Sequence, residues 1–289
     1  NPPRYLRLLE IIPTPFTDPE VVDFLMHYGD PYLGKTTVLC KDTPAFIANR
    51  IGVFGMMAIM NTMEKLQLSI DEIDALTGPV IGRPKSATFR TADVVGIDTL
   101  VKVAKGVYDN CPADEAKEKF VIPAWLNKMV ENNWLGDKSG QGFYKKMPAT
   151  KGGKKDIQVL NLSTFEYEPR KKPAFKTLEA ARAIENLQDR MKLMMQGTDK
   201  AGEFYRQFNY SLFSYVSFRI PEISDELYSI DDAMKAGFGW DAGAFETWDA
   251  LGVADTVEKM KAAGFKVASW IDEMIAAGFS HFYKTDKGK

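Results

Sequence analysis

Residues 35–50 read Lys35-Thr36-Thr37-Val38-Leu39-Cys40-Lys41-Asp42-Thr43-Pro44-Ala45-Phe46-Ile47-Ala48-Asn49-Arg50, and the texture of the chain changes inside this run. Its first part is rich in β-formers and reads as a strand. After Lys41 the apolar residues Ile47, Ile51, Phe54 and Ala58, with several methionines, recur at three- and four-residue steps. That period belongs to a helix buried along one face, and Thr43 and Pro44 are expected to start it.

Upstream, Leu6, Leu8, Leu9, Ile11 and Ile12 form a near-continuous apolar run, as in a parallel strand covered on both faces. Thr17-Asp18-Pro19 offers an N-cap before a first-turn proline. Residues 1–40 therefore read as strand, helix, strand, the tail of an α/β domain. Downstream, Ser69-Ile70-Asp71-Glu72 is a capping box, Asp98 is expected to cap a further helix, and Pro123 to begin another. Gly136 to Tyr144 is a glycine-rich turn before a short aromatic strand, closing a helical unit over 41–146. Residues 147–175, with Lys151-Gly152-Gly153-Lys154-Lys155 and Pro169-Arg170-Lys171-Lys172-Pro173, read as a solvated linker.

Helices resume at Thr177, and 176–289 repeats the first unit in weakened form. Phe46 to Ile51 matches Tyr215 to Ile220, and Ser69-Ile70-Asp71-Glu72 matches Ser229-Ile230-Asp231-Asp232. Phe89, Asp93 and Gly96 match Phe245, Asp249 and Gly252, and Phe143-Tyr144-Lys145 returns as Phe282-Tyr283-Lys284.

Of the 289 residues 45% are hydrophobic and 26% charged, with a formal net charge of -2. This suits a soluble globular protein and supplies no basic field for nucleic acid or an anionic membrane. No apolar run reaches the length of a membrane span, and the opening residues have no secretory signal pattern. Cys40 and Cys111 have neither a metal-ligand spacing nor a disulfide framework, and are expected to be free thiols in a reducing cytoplasm. With only His27 and His281, a His-rich metal site or a Ser-His-Asp triad has little material.

Two residues stand out chemically. Glu10 lies inside the apolar strand, where a carboxylate needs an ion-pair partner, an exposed strand end or a functional reason. Asn49 is an amide near the start of the long helix, able to donate to a substrate oxygen or to hold a loop. In the repeat Arg50 is kept as Arg219 while Asn49 becomes Phe218, so the amide is expected to serve a polar site in the first unit alone. His27 and His281 read as packed or surface residues, and the methionines at 56, 57, 60 and 63 as core filler able to pack flexibly beside an apolar ligand. Gly-x-Gly-x-x-Gly does not occur.

Several segments together resemble the 3-hydroxyacyl-CoA dehydrogenase family of fatty-acid β-oxidation. Asn1-Pro2-Pro3 followed by Leu8 to Pro13 is similar to the family's His-Phe-Phe-Asn-Pro turn and the strand after it. Lys41 to Arg50 is close to its linker-to-helix signature, with Ala45 where glycine is usual. Asp71 to Asp98 and Lys138 to Tyr144 match the middle and end of its C-terminal domain, although Ser86-Ala87-Thr88-Phe89-Arg90-Thr91 stands where many members have Gly-Pro-Phe-Glu-Leu.

The resemblance implies a mainly α fold. A remnant of a Rossmann-type α/β domain would be followed by two related helical domains, like the C-terminal domain of 6-phosphogluconate dehydrogenase, packed as a pseudo-dimer. It implies oxidation of (3S)-3-hydroxyacyl-CoA to 3-oxoacyl-CoA with NAD. Glu10 would then hydrogen-bond a catalytic histidine just upstream of Asn1, and Asn49 would position the substrate oxygen. An NAD site held mainly by sequence outside this chain, a fused enoyl-CoA hydratase module and inactivity of residues 1–289 alone are further expectations. The rival readings are a non-catalytic helical assembly module and a related dehydrogenase for a small hydroxy acid.

Overall fold

The computed structural model of the protein describes residues 3–148 and 156–284. β1 (Leu8–Ile11) and β2 (Thr36–Leu39) pair in parallel, Leu8 opposite Thr36, with α1 (Pro19–His27) between them in the chain. Asp18 caps α1 by accepting the Glu20 N–H, and Pro19 opens its first turn.

The chain then becomes helical through α2 (Ala48–Leu66), α3 (Ile70–Leu76), α4 (Phe89–Val95), α5 (Ile97–Asn110) and α6 (Ala124–Glu131). An antiparallel sheet follows, made of β3 (Tyr144–Lys146), β4 (Ile157–Asn161) and β5 (Glu166–Pro169) in that order. The second half contains α7 (Lys176–Arg182), α8 (Leu187–Gln196), α9 (Lys200–Phe218), α10 (Leu227–Phe238), α11 (Ala244–Leu251), α12 (Val253–Ala262) and α13 (Ser269–Ala276). None of these helices is long and apolar enough to cross a membrane.

Local chemistry explains where expectation and structure part. α2 begins at Ala48, later than Thr43-Pro44 suggests, because Ala45 and Phe46 take φ of +66° and +51°. A left-handed turn therefore precedes the helix, strained at Ala45 as a glycine would not be. Ser69 forms the expected capping box with Glu72. Asp98 does not cap α5; Gly96 does, with φ +105°, while Asp98 sits in the first turn and pairs with Lys138.

The solvated linker over 147–175 needs correction. β4 places Val159 opposite Tyr144 and buries Val159 and Leu160. Tyr167 Oη donates to Gly142 O at 2.6 Å, and Arg170 Nε donates to Asp71 Oδ1 at 2.8 Å. Lysines and prolines around these few apolar residues masked a hairpin whose inward face joins the first half. Residues Lys151 to Lys155 lie outside the described part.

One hydrogen-bond pattern occurs in both halves. Asp93 accepts the N–H groups of Phe143 and Tyr144 at 2.8 and 2.9 Å, and Asp249 those of Phe282 and Tyr283 at 2.7 and 3.0 Å. Asp74 accepts the Phe89 N–H and Tyr144 Oη, both at 2.7 Å. Asp231 does the same with Phe245 N–H at 3.0 Å and Tyr283 Oη at 2.9 Å. Asp93 and Asp249 thus fasten the returning aromatic segment, and Asp74 and Asp231 tie that segment to the start of a helix.

Two of the sequence matches fail. Asp231 is the counterpart of Asp74, not of Asp71. Ile70-Asp71 and Ile73-Asp74 lie one turn apart on α3, and the match chose the wrong pair. Asn49-Arg50 lies in the first turn of α2, whereas Phe218 is the last residue of α9 and Arg219 its C-cap. Phe218 is therefore no replacement for Asn49. Arg50 and Arg219 meet because α2 and α9 pack antiparallel. At one end Lys200 Nζ donates to Leu66 O at 3.1 Å, and at the other Arg50 Nε donates to Tyr215 Oη at 2.5 Å. Between the helices Phe54 stacks on Tyr215 with centroids 3.6 Å apart.

Burial pushes the Asp93 carboxyl up to about 6, against the pull of the two backbone donors and Arg90. A carboxyl raised in the folded state contributes stability below the unfolded value near 3.8, and that contribution is lost as pH climbs through about 6. Asp93→Asn removes the titration. Its stability deficit, measured by urea unfolding, should shrink between pH 4 and 7, by up to about 3 kcal/mol for two pKa units. A deficit that stays constant or widens over that range contradicts the assignment.

Candidate active site

Glu10 points from β1 at the start of α2. Its Oε1 accepts the backbone N–H groups of Ile47 and Ala48 at 3.0 and 2.9 Å. The carboxylate thus does work that a missing cap residue would do, since Ile47 at the N-cap makes no side-chain bond, and its negative charge suits the helix N-terminus. Oε2 takes part in neither bond. Cys40 Sγ lies 3.8 Å from Oε1, and burial, followed by the Glu10 charge, pushes its thiol up to about 12. A thiol held protonated in this way is no nucleophile. Cys40 and Cys111 are both free and buried.

Asn49 is exposed on that same first turn of α2. Glu10 and Asn49 line one cavity of about 400 Å³, with Leu8, Val53, Met56 and Leu100 among its apolar walls. The acid and the amide therefore face a common cleft. Of the four methionines, Met57, Met60 and Met63 are core and Met56 borders the cavity. Neither histidine does; His281 Nδ1 is bonded to Ser280 Oγ at 2.8 Å.

The far wall of the cavity comes from residues that no local sequence pattern singles out. Arg83, Phe238 and Trp240 also line the cavity, the last two from the second half. The Arg83 guanidinium lies 3.9 Å from the Trp240 ring centroid and 5.0 Å from that of Phe208, and burial lowers its pKa to about 9. A signal for this wall exists in Gly52, a glycine inside a helix where it costs about 1 kcal/mol unless something must come close, as the Phe238 ring does.

The turn from β1 to α1 does not fit a dinucleotide. It holds Pro13 and Pro15 and no glycine, and the Asp18 carboxylate occupies the helix N-terminus where a pyrophosphate would bind. What the arrangement can serve is a substrate with a polar reacting end and an apolar tail.

Residues 46–146 match the family model described as the C-terminal domain of 3-hydroxyacyl-CoA dehydrogenase. A probable 3-hydroxyacyl-CoA dehydrogenase of Bacillus subtilis is 44% identical over 288 residues, covering 100% of this chain and 36% of that protein. A putative fatty acid oxidation complex trifunctional enzyme of Rickettsia felis is 30% identical over 247 residues, covering 85% and 32% respectively. The chain thus spans about a third of the length of these relatives. In fold it is similar to the crystal structure of 3-hydroxybutyryl-CoA dehydrogenase from Escherichia coli, with a TM-score of 0.64 over 96% of this chain and 70% of that one, at 17% identity. The helical unit that carries Asn49, the strand that carries Glu10 and the matches across both halves lead to one conclusion: the chain belongs to the 3-hydroxyacyl-CoA dehydrogenase family.

Proposed function

We propose that this chain is the acyl-facing part of a 3-hydroxyacyl-CoA dehydrogenase that oxidises (3S)-3-hydroxyacyl-CoA to 3-oxoacyl-CoA with NAD in fatty-acid β-oxidation. The observation that carries the reading is the convergence of Glu10 and Asn49 on one apolar-walled cavity. In this reading Oε1 of Glu10 is committed to α2, and Oε2 accepts the N–H of a catalytic imidazole, fixing its tautomer and raising its basicity. Asn49 donates to the C3 oxygen of the substrate. The hydride acceptor finds no cradle in the turn from β1 to α1, so these roles are confined to the acyl side.

Residues 1–40 are then the end of the NAD-binding α/β domain, 41–146 the first helical domain and 176–289 a second copy that acts as an internal partner. The antiparallel α2 and α9 and the doubled aspartate fastening support that reading. A place within a multifunctional fatty-acid oxidation enzyme is supported by the likeness to the Rickettsia felis protein, and a fused enoyl-CoA hydratase module is part of the same proposal.

The test is NADH-dependent reduction of 3-oxoacyl-CoA by the whole protein. Glu10→Gln keeps an acceptor for Ile47 and Ala48 but removes the charge, so kcat should drop about 10–100-fold with the fold intact. No turnover of any chain length rejects the activity. An unaltered kcat in Glu10→Gln would favour the assembly module instead.

A further inference from the structure

We propose that Phe238, supplied by the second half of the chain, limits acyl-chain length in the cavity at Glu10 and Asn49. The inference rests on the acyl-CoA reading above and extends it to a residue outside the first helical unit. Gly52 lies about one turn beyond Asn49 on α2. A Cβ built there would come 2.1, 2.5 and 2.7 Å from three atoms of the Phe238 ring. The ring therefore occupies the place that any side chain at 52 would need. Gly237 repeats the device from the other side, since its Cβ would meet Leu8 Cδ2 at 2.9 Å and Ala48 Cβ at 3.4 Å. The last turn of α10 thus lies against β1 and the first turns of α2, the two elements that present Glu10 and Asn49.

Gly239, with φ +67°, ends α10 at this point, and Trp240 turns onto Arg83. The Phe238 ring itself rests against Gly52. Phe238 is half-buried and borders the cavity together with Val53 and Met56. A substrate whose C3 oxygen meets Asn49 and whose tail follows these apolar walls passes this ring about 5 Å along the helix from the amide. The wall comes from the second half, so that half takes part in selecting substrate as well as in holding the first half.

The experiment compares kcat/KM for 3-oxodecanoyl-CoA and acetoacetyl-CoA in the whole protein. Phe238→Ala should raise the long-to-short ratio about tenfold or more, the scale on which apolar pockets discriminate chain length. Gly52→Ala, which pushes the ring off its seat and into the cavity, should lower the ratio. The double variant should behave like Phe238→Ala alone, because no ring remains for the new methyl to meet. Should Gly52→Ala fail to fold, a folded double variant supports the same seating. An unchanged ratio in a folded Phe238→Ala enzyme overturns this inference while leaving the dehydrogenase reading intact. Absence of turnover in the unmodified protein defeats both.

Discussion

In the whole protein, the role proposed for Asn49 means that its replacement by alanine should lower kcat for 3-hydroxyacyl-CoA oxidation by about 10²–10³-fold while leaving the thermal midpoint nearly unchanged. The two effects separate because the amide is exposed on the first turn of α2 and faces the cavity, not the core. Exposed positions away from packed contacts seldom move stability by more than about 0.5 kcal/mol. A donor aimed at charge that develops in a transition state acts on kcat more than on KM. Steady-state kinetics with parallel melting curves decide the matter. A rate within about threefold of the parent in a folded Asn49→Ala protein removes the amide from the mechanism.

Asp114→Ala should destabilise the fold by about 3–5 kcal/mol, the cost of stripping a buried ion pair of one partner. Asp114 Oδ2 receives Arg50 at 2.6 Å, Arg219 at 2.9 Å and Tyr215 Oη at 2.9 Å. The side chains of Arg50, Arg219 and Asp114 are 0%, 2% and 1% exposed, so two guanidinium groups would lose their common buried anion. Burial alone would raise the Asp114 pKa, yet Arg219 and Arg50 with the Ala116 N–H hold it below the ordinary value. Glu115 and Glu222 also reach Arg219 but are more than a third exposed and screened by water. Asp114→Asn keeps the acceptor and should cost less than alanine does. Urea unfolding of the three proteins gives the order, and a loss under about 1 kcal/mol for alanine shows that the cluster relaxes around the gap.

Much of this was legible in the sequence where short-range rules govern. Asp18 before Pro19, the box at Ser69 and Glu72, and the apolar strand before α1 each follow from chemistry within a few residues. Glu10 was visible because a carboxylate in an apolar strand needs a reason. Its partner proved to be the backbone of α2, which no spacing rule connects to position 10. The β4–β5 hairpin was hidden by the lysines and prolines around it. The repeat is legible at Asp93 and Asp249, but at Asp231 two Ile-Asp pairs one turn apart compete for the same match. The far wall of the cavity is a meeting of Gly52 with Phe238, and only tertiary packing brings such distant positions together.

The antiparallel seam of α2 and α9 has a consequence for behaviour in dilute solution. Arg50, Asp114, Tyr215 and Arg219 all belong to one polypeptide, so their assembly involves no encounter between molecules. A wall built the same way from two separate chains would follow mass action and come apart on dilution. Here the cavity and the half that encloses it stay at a fixed effective concentration, and the α2–α9 seam should hold equally well at any protein concentration.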